Sequence, residues 1–165
     1  MATNVYRGSD GTISVAAEQG IEGDATNAVT EEYSLTPVGR ATGVTIRVTN
    51  DVEPFHELGQ RFATELRPGN IYVYGTIDRA YINGALLILM LGDAANSRPA
   101  GSFTSPAFNL NLRMENPSLA GNSATLTVMG VKLNEWNYDL PEDDFAMEQV
   151  SFKALWVKIE DATAG

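Results

Sequence analysis

Val44, Ile46 and Val48 alternate with Thr45, Arg47 and Thr49, and this two-residue period constrains the fold more than any other feature of the chain. A strand with one buried face produces that pattern; a helix would scatter the same apolar groups around its circumference. Residues 43–50 are therefore expected as a strand. The connection 51–57 carries Pro54, after which Phe62, Thr64 and Leu66 alternate as far as the turn Arg67-Pro68-Gly69-Asn70. Residues 71–78, rich in β-branched and aromatic side chains, read as the next strand, and these pieces are expected to pair antiparallel.

Further alternation follows at Phe108, Leu110 and Leu112, at Leu126 and Val128, and from Val131 through Leu133 to Trp136. At the C-terminal end Val150, Phe152, Ala154, Trp156 and Lys158 share one face, and Ser151, Lys153, Leu155, Val157 and Ile159 the other. Both faces are largely apolar, so one must serve the core while the other is covered by a second sheet, a helix or a neighbouring subunit. The run Ala85–Leu91 breaks the alternation. It suits a buried helix or a central strand, and its Leu, Met and Ala content favours the helix, with Asn83 to cap it and Gly92 to end it. About seven or eight strands and this one strong helix predict a mainly β fold, an antiparallel β-sandwich or barrel with one short flanking α-helix.

Residues 1 to 40 differ. Asp10, Glu18, Glu22, Asp24, Glu31 and Glu32 dominate a Gly-, Ala- and Thr-rich stretch in which only Thr12 to Ala16 suggests a short strand. With few bulky apolar groups, the segment is expected to be loop-like and to need a partner for order. At 165 residues the whole chain, 1–165, fits a single domain with a real core.

Composition removes several classes of function. There is no cysteine, which excludes a disulfide frame, a thiolate zinc site and a cysteine nucleophile. The single histidine, His56, excludes a His-rich metal cluster. No nucleotide-binding, zinc-protease or hydrolase-elbow motif is present. Asp139, Glu142, Asp143 and Asp144 lack the spacing of a calcium loop and read as a solvated turn. Catalytic residues, metal sites and cofactors are accordingly expected to be none. No stretch approaches the ~20 apolar residues of a membrane span, and Met1-Ala2-Thr3-Asn4 does not read as the start of a signal peptide. A net charge of -10 disfavours a nucleic-acid clamp. That excess serves either solubility or, were subunits to ring a lumen, the free passage of a polyanion.

The stretch from Gly130-Val131-Lys132-Leu133 through Trp136-Asn137-Tyr138-Asp139-Leu140-Pro141-Glu142-Asp143-Asp144-Phe145, then Glu148 to Leu155, resembles the tail tube proteins of tailed bacteriophages. So do Gly59 to Arg67, the turn Pro68-Gly69-Asn70, and Gly75 to Leu87, in the same order along residues 40–160. The C-terminal strand pattern most resembles tubes of contractile tails. The same fold resembles secreted rings of bacterial injection systems and tubes of phage-derived particles.

The resemblance implies hexameric rings stacked into a tube around a channel for the genome, in the virion tail, assembled in the host bacterial cytoplasm. Its implied partners are further copies of the chain, a sheath protein, baseplate and tail-terminator proteins, a tape measure protein, and double-stranded DNA in transit. On this reading the acidic N-terminal segment, residues 8–40, resembles the extended arm or loop that packs between successive rings, and its Glu18, Glu22 and Asp24 are candidates for stacking. Arg47, Arg79 and Arg98 are candidates for pairing with acidic surfaces, and Glu142, Asp143 and Asp144 for intersubunit or sheath-facing charge. Trp136, Tyr138, Phe145, Phe152 and Trp156 anchor either the core or an interface. The competing class is a monomeric β-sandwich that binds a ligand in a pocket or on an aromatic groove.

Overall fold

The computed structural model describes residues 6–33, 41–81, 83–116, 118 and 121–162. After a 3-10 turn at Gly8–Asp10, nine strands and two helices follow: β1 (Gly11–Ala17), α1 (Ile21–Tyr33), β2 (Ala41–Asn50), β3 (Glu53–Phe55), β4 (Glu65–Arg67), β5 (Ile71–Ala80), α2 (Ala85–Leu91), β6 (Phe108–Glu115), β7 (Ser123–Asp139), β8 (Met147–Ala154) and β9 (Trp156–Ala162). Seven strands form one curled antiparallel sheet in the order β1-β6-β7-β8-β5-β2, with β9 on the far side of the first part of β7. The fold is mainly β, a half-barrel flanked by the short helix α2, as the alternation and the run Ala85–Leu91 predict.

The curl comes from one strand that serves two half-sheets. The first part of β7 pairs with β6 and β9, and from Lys132 onward it pairs with β8. The bend falls at Gly130, whose φ of 68° is costly for any residue with a Cβ. A Cβ there would also lie 2.6 Å from Leu155 Cδ1. Leu155 marks the matching break between β8 and β9, its N–H donating to the Met129 carbonyl (2.9 Å). The expected single terminal strand is thus two strands in two half-sheets. Its two apolar faces are explained by that change of sheet, since Val150 and Phe152 enter the core in β8 whereas Trp156 and Ile159 of β9 are largely exposed.

One hydrophobic cluster fills the curl, drawing Val15, Leu110 and Val128 from one half, Ile77, Val150 and Phe152 from the other, and Val29, Leu86 and Leu89 from the helices. Full burial of each large apolar side chain contributes about 1.5–3 kcal/mol. Helix α2 is apolar all round because it lies against β7 on one side and α1 on another. Asn83 Oδ1 accepts the Ala85 N–H (3.1 Å) and Gly92 closes the helix, as expected.

Two regions depart from expectation. The short strand expected at Thr12 to Ala16 is present as β1, which pairs with β6 in a register that sets Ile13 beside Leu112 and Val15 beside Leu110, but residues 21–33, expected as loop, form α1, which packs on β1, β6 and α2. Thr26 anchors α1 by donating to the buried Ala107 carbonyl (2.8 Å). The remainder of the expected arm, 34–40, lies outside the described residues. Secondly, Phe62, Thr64 and Leu66 do not supply a strand between 43–50 and 71–78. β2 pairs directly with β5, Val44 beside Ile77 and Val48 beside Val73, and residues 51–70 leave the sheet altogether.

Candidate assembly surfaces

Residues 51–70 form a projecting arm. Its base is tied by Asp51 N–H donating to the Asn70 carbonyl (2.9 Å) and by Gly69 N–H donating to Asn50 Oδ1 (3.0 Å). Gly69 is needed here, because a Cβ would sit 2.3 Å from the Asp51 carbonyl oxygen. Midway, the small hairpin β3–β4 pairs Pro54 with Leu66 and Phe55 with Glu65. Every residue from 51 to 70 is exposed. Among them Phe55 is 55%, Leu58 105%, Phe62 88% and Leu66 65% exposed. Exposed apolar surface of this extent is of the kind that marks interaction sites.

The other end of the same half-sheet is built differently. β2 and β5 run from Asn50 beside Ile71 at the arm to Ala41 beside Arg79 at the opposite pole, where the β7–β8 loop closes between Asp139 and Met147. There Arg79 and Glu148 are fully buried: Arg79 Nε and Nη2 both lie 2.6 Å from Glu148 Oε1, and Trp136 Nε1 donates to Oε2 (2.9 Å). Nη2 also donates to the Asn83 carbonyl (3.1 Å), tying the pole to the start of α2. Nη1 has no hydrogen-bond partner among the described residues, which offsets part of the gain of the pair. Above this network Trp136 stacks on Tyr138 (5.6 Å between centroids), and Tyr138 meets the edge of Tyr81 (4.8 Å).

The predicted site residues separate accordingly. Arg79 is not a surface charge; it shares the core-facing parity of Val73 and Ile77, and that parity puts it inside. Arg47 and Arg98 are exposed, Arg47 on the outer face of β2 beside Tyr74. Glu142, Asp143 and Asp144 are exposed together in the β7–β8 loop, next to Phe145. Phe152 is core, Trp136 is half-buried, and Tyr138, Phe145 and Trp156 present substantial apolar surface to solvent. Glu18 is half-buried, Glu22 pairs with Lys132 (2.8 Å), and Asp24 is exposed in the first turn of α1. The arm residues Phe55, Leu58 and Phe62 went unrecognised from sequence. Their signal was length: 51–70 is far too long for the tight turn that β2 and β5 need.

Edges complete the inventory. β1 and β2 end the strand order, so each offers an unpaired backbone edge among the described residues. That of β2 is ten residues long with Arg47 as its only charge. Among the described residues no group of three or more His, Cys, Asp or Glu side chains could hold a metal ion, and no helix is long and apolar enough to cross a membrane.

No protein-family model and no curated protein matches the chain. Solved structures do. A chain of the sheath-tube complex of the extracellular contractile injection system PVC, in its extended state, aligns with a TM-score of 0.63 at 12% identity over 96% of this chain and 93% of that one. The SPP1 tail tube aligns with a TM-score of 0.59 at 12% identity over 97% of this chain and 81% of that one. The chain has a tail-tube fold. An Hcp protein also aligns, at a TM-score of 0.50 and 16% identity, over 94% of each chain. Across these alignments the shared fold extends over nearly all of this chain.

Proposed function

We propose that the chain is a non-catalytic structural subunit that assembles into rings stacked as a tube, in an injection apparatus of the contractile or phage-tail type. One observation carries this reading: the apolar arm at 51–70 has no surface of its own subunit to cover. The tail-tube fold and the open edges of β1 and β2 support it, since edge pairing closes rings laterally while the arm contacts the next ring. On this reading the inter-ring contact belongs to the arm rather than to Glu18, Glu22 and Asp24, because the N-terminal segment is engaged within its own subunit.

The finer reading follows the same line. Six subunits per ring, a surrounding sheath, baseplate and terminator proteins at the ends, and a tape measure protein within are the partners such a tube takes. The apparatus assembles in a bacterial cytoplasm before release. A net charge of -10 suits passage of duplex DNA without clamping it. Changing channel-facing carboxylates to Lys, once a tube reconstruction locates them, is expected to raise DNA retention at matched salt.

Electron microscopy of the purified protein, with its mass distribution in solution, tests the central claim. Rings or straight tubes are expected. A strictly monomeric species over a wide concentration range would overturn it and favour a ligand-binding sandwich.

A further inference from the structure

Asn83-Gly84 is the one Asn-Gly pair in the chain, and it sits where the buried Arg79–Glu148 pair meets the start of α2. The half-buried Asn83 side chain is held on two sides: Oδ1 accepts the Ala85 N–H (3.1 Å) and a hydrogen from Arg79 Nη2 (3.3 Å). Both neighbours are donors, which fixes the orientation of the amide and leaves Nδ2 without a hydrogen bond among the described residues. The bond to Ala85, two residues on, is an Asx turn, which folds the side-chain carbonyl back against the peptide that joins Asn83 to Gly84. Beside that peptide there is open space, since a Cβ on Gly84 would meet nothing within 4 Å. A carboxamide carbon so placed is open to attack by the next peptide nitrogen, and the Arg79 guanidinium lies where negative charge would gather on Oδ1.

We propose that Asn83 is a site of spontaneous self-modification, converting to aspartate and isoaspartate with Arg79 assisting the step. The Gly84 nitrogen gives its proton to water and bonds to Asn83 Cγ. The bond from Cγ to Nδ2 breaks, Nδ2 takes up a proton and leaves as ammonia, and a five-membered succinimide remains. Water then adds to one of the two ring carbonyl carbons and the ring opens, so the sum is one water consumed and one ammonia released, with no change of oxidation state. Opening at Cγ gives aspartate; opening at the main-chain carbonyl carbon gives isoaspartate, with an extra methylene in the backbone. The two products act oppositely on this pole. An aspartate makes both contacts of Oδ1 charge-assisted and gives Arg79, whose Nη1 has no partner among the described residues, a second carboxylate. Isoaspartate lengthens the entry to α2 and disturbs the packing of its buried Leu86 and Leu89. This chemistry is independent of the tube reading.

Purified protein held at mildly alkaline pH and sampled over days by peptide mass spectrometry tests this. Wild type is expected to gain the mass difference of acid over amide at Asn83 ahead of every other asparagine. Gly84→Ala fits both the open space and the φ of -83°, and is expected to slow the gain by crowding the nitrogen. Arg79→Met with Glu148→Met removes the cation without stranding a buried charge. It is expected to slow the gain about tenfold, less than the roughly 10²–10³ that loss of a preorganised oxyanion donor costs an enzyme. Asn83→Asp, the first product made directly, is expected to melt no lower than wild type, and the isoaspartate fraction, separated by chromatography, to melt lower. An Asn83 that keeps its amide in the folded protein, whatever the urea-unfolded chain does, would overturn the proposal. A double variant that converts at the wild-type rate would overturn the part of Arg79, and an Asn83→Asp protein that melts several degrees lower would overturn the part of the new carboxylate.

Discussion

The segments 8–33 and 51–70 exchange the roles that their compositions suggest. The first is acidic and poor in bulky apolar groups, yet it is bound into the fold through β1 and the buried Val15, Thr26 and Val29. The second is richer in large apolar side chains and touches almost nothing of its own subunit. Whether a segment docks is decided by whether its few apolar groups meet complementary positions, here an unpaired edge of β6 and the face of α2. Total hydrophobicity does not decide it. A segment without such positions keeps its apolar surface for another molecule.

The sharpest way to break this contrast is to remove each segment in turn. Deleting residues 8–33 strips β1 from β6 and uncovers Leu110 and Phe108, and the loss should approach the whole stability of a domain this size, about 5–15 kcal/mol. The expected product is insoluble or molten by near-ultraviolet circular dichroism. Replacing residues 53–67 by a short Asn-Gly linker should leave the melting temperature within a few degrees, the effect of about 1 kcal/mol or less, and abolish tubes. Equal damage from the two deletions would show that the arm folds onto its own body.

The pole opposite the arm gives the next effect in size. Arg79→Met leaves the Glu148 carboxylate buried and unpaired, a cost of about 3–5 kcal/mol in denaturant unfolding. Adding Glu148→Met should recover much of that stability, because it removes the stranded charge. It should not recover the near-ultraviolet circular dichroism of the Trp136–Tyr138 stack, since Trp136 then loses the acceptor that orients it.

Much of the sheet is legible in the sequence, and the reasons for the gaps are physical. Alternation at 44–48 and 71–78 locates β2 and β5, and the same alternation places Arg79 on the core side two residues after Ile77. Charge argued for the surface and parity for the interior; parity wins once Glu148, on the core-facing parity of Val150 and Phe152, supplies the partner. Helix α1 is hard to see because, among its described side chains, the buried positions are Gly23, Thr26 and Val29, too small to raise the hydrophobic signal. The division of the terminal strand is hidden because alternation continues through Leu155; only Gly130, distant in sequence, marks the bend. The exposed apolar surfaces are half legible: Tyr138 and Phe145 stand out as aromatic anchors, while the arm is lost in a segment that looks like a plain connection.

Smaller substitutions sharpen the comparison residue by residue. Thr26→Val keeps the shape of the α1 contact but leaves the Ala107 carbonyl without its hydroxyl donor, and about 1–3 kcal/mol of stability should be lost. Phe62→Ser in the arm removes a larger apolar group, yet should stay within about 0.5 kcal/mol of wild type because that group is already in water.

A comparably small effect belongs to the ion pair between Glu22 and Lys132, which ties the first turn of α1 to β7. Both side chains are about half exposed, so solvent screens them, and Lys132→Ala should cost about 0–1 kcal/mol, less as salt is raised. Hydrogen exchange in the first turn of α1 is the sensitive measurement, because a local loosening of that size scarcely moves the global melt. Faster exchange confined to that turn, and erased by high salt, would mean that packing through Val29 and Thr26 holds the helix while the ion pair trims its end. A loss of protection across the whole of α1 would instead show that the N-terminal segment is only weakly docked, and so closer in kind to the arm than its buried residues indicate.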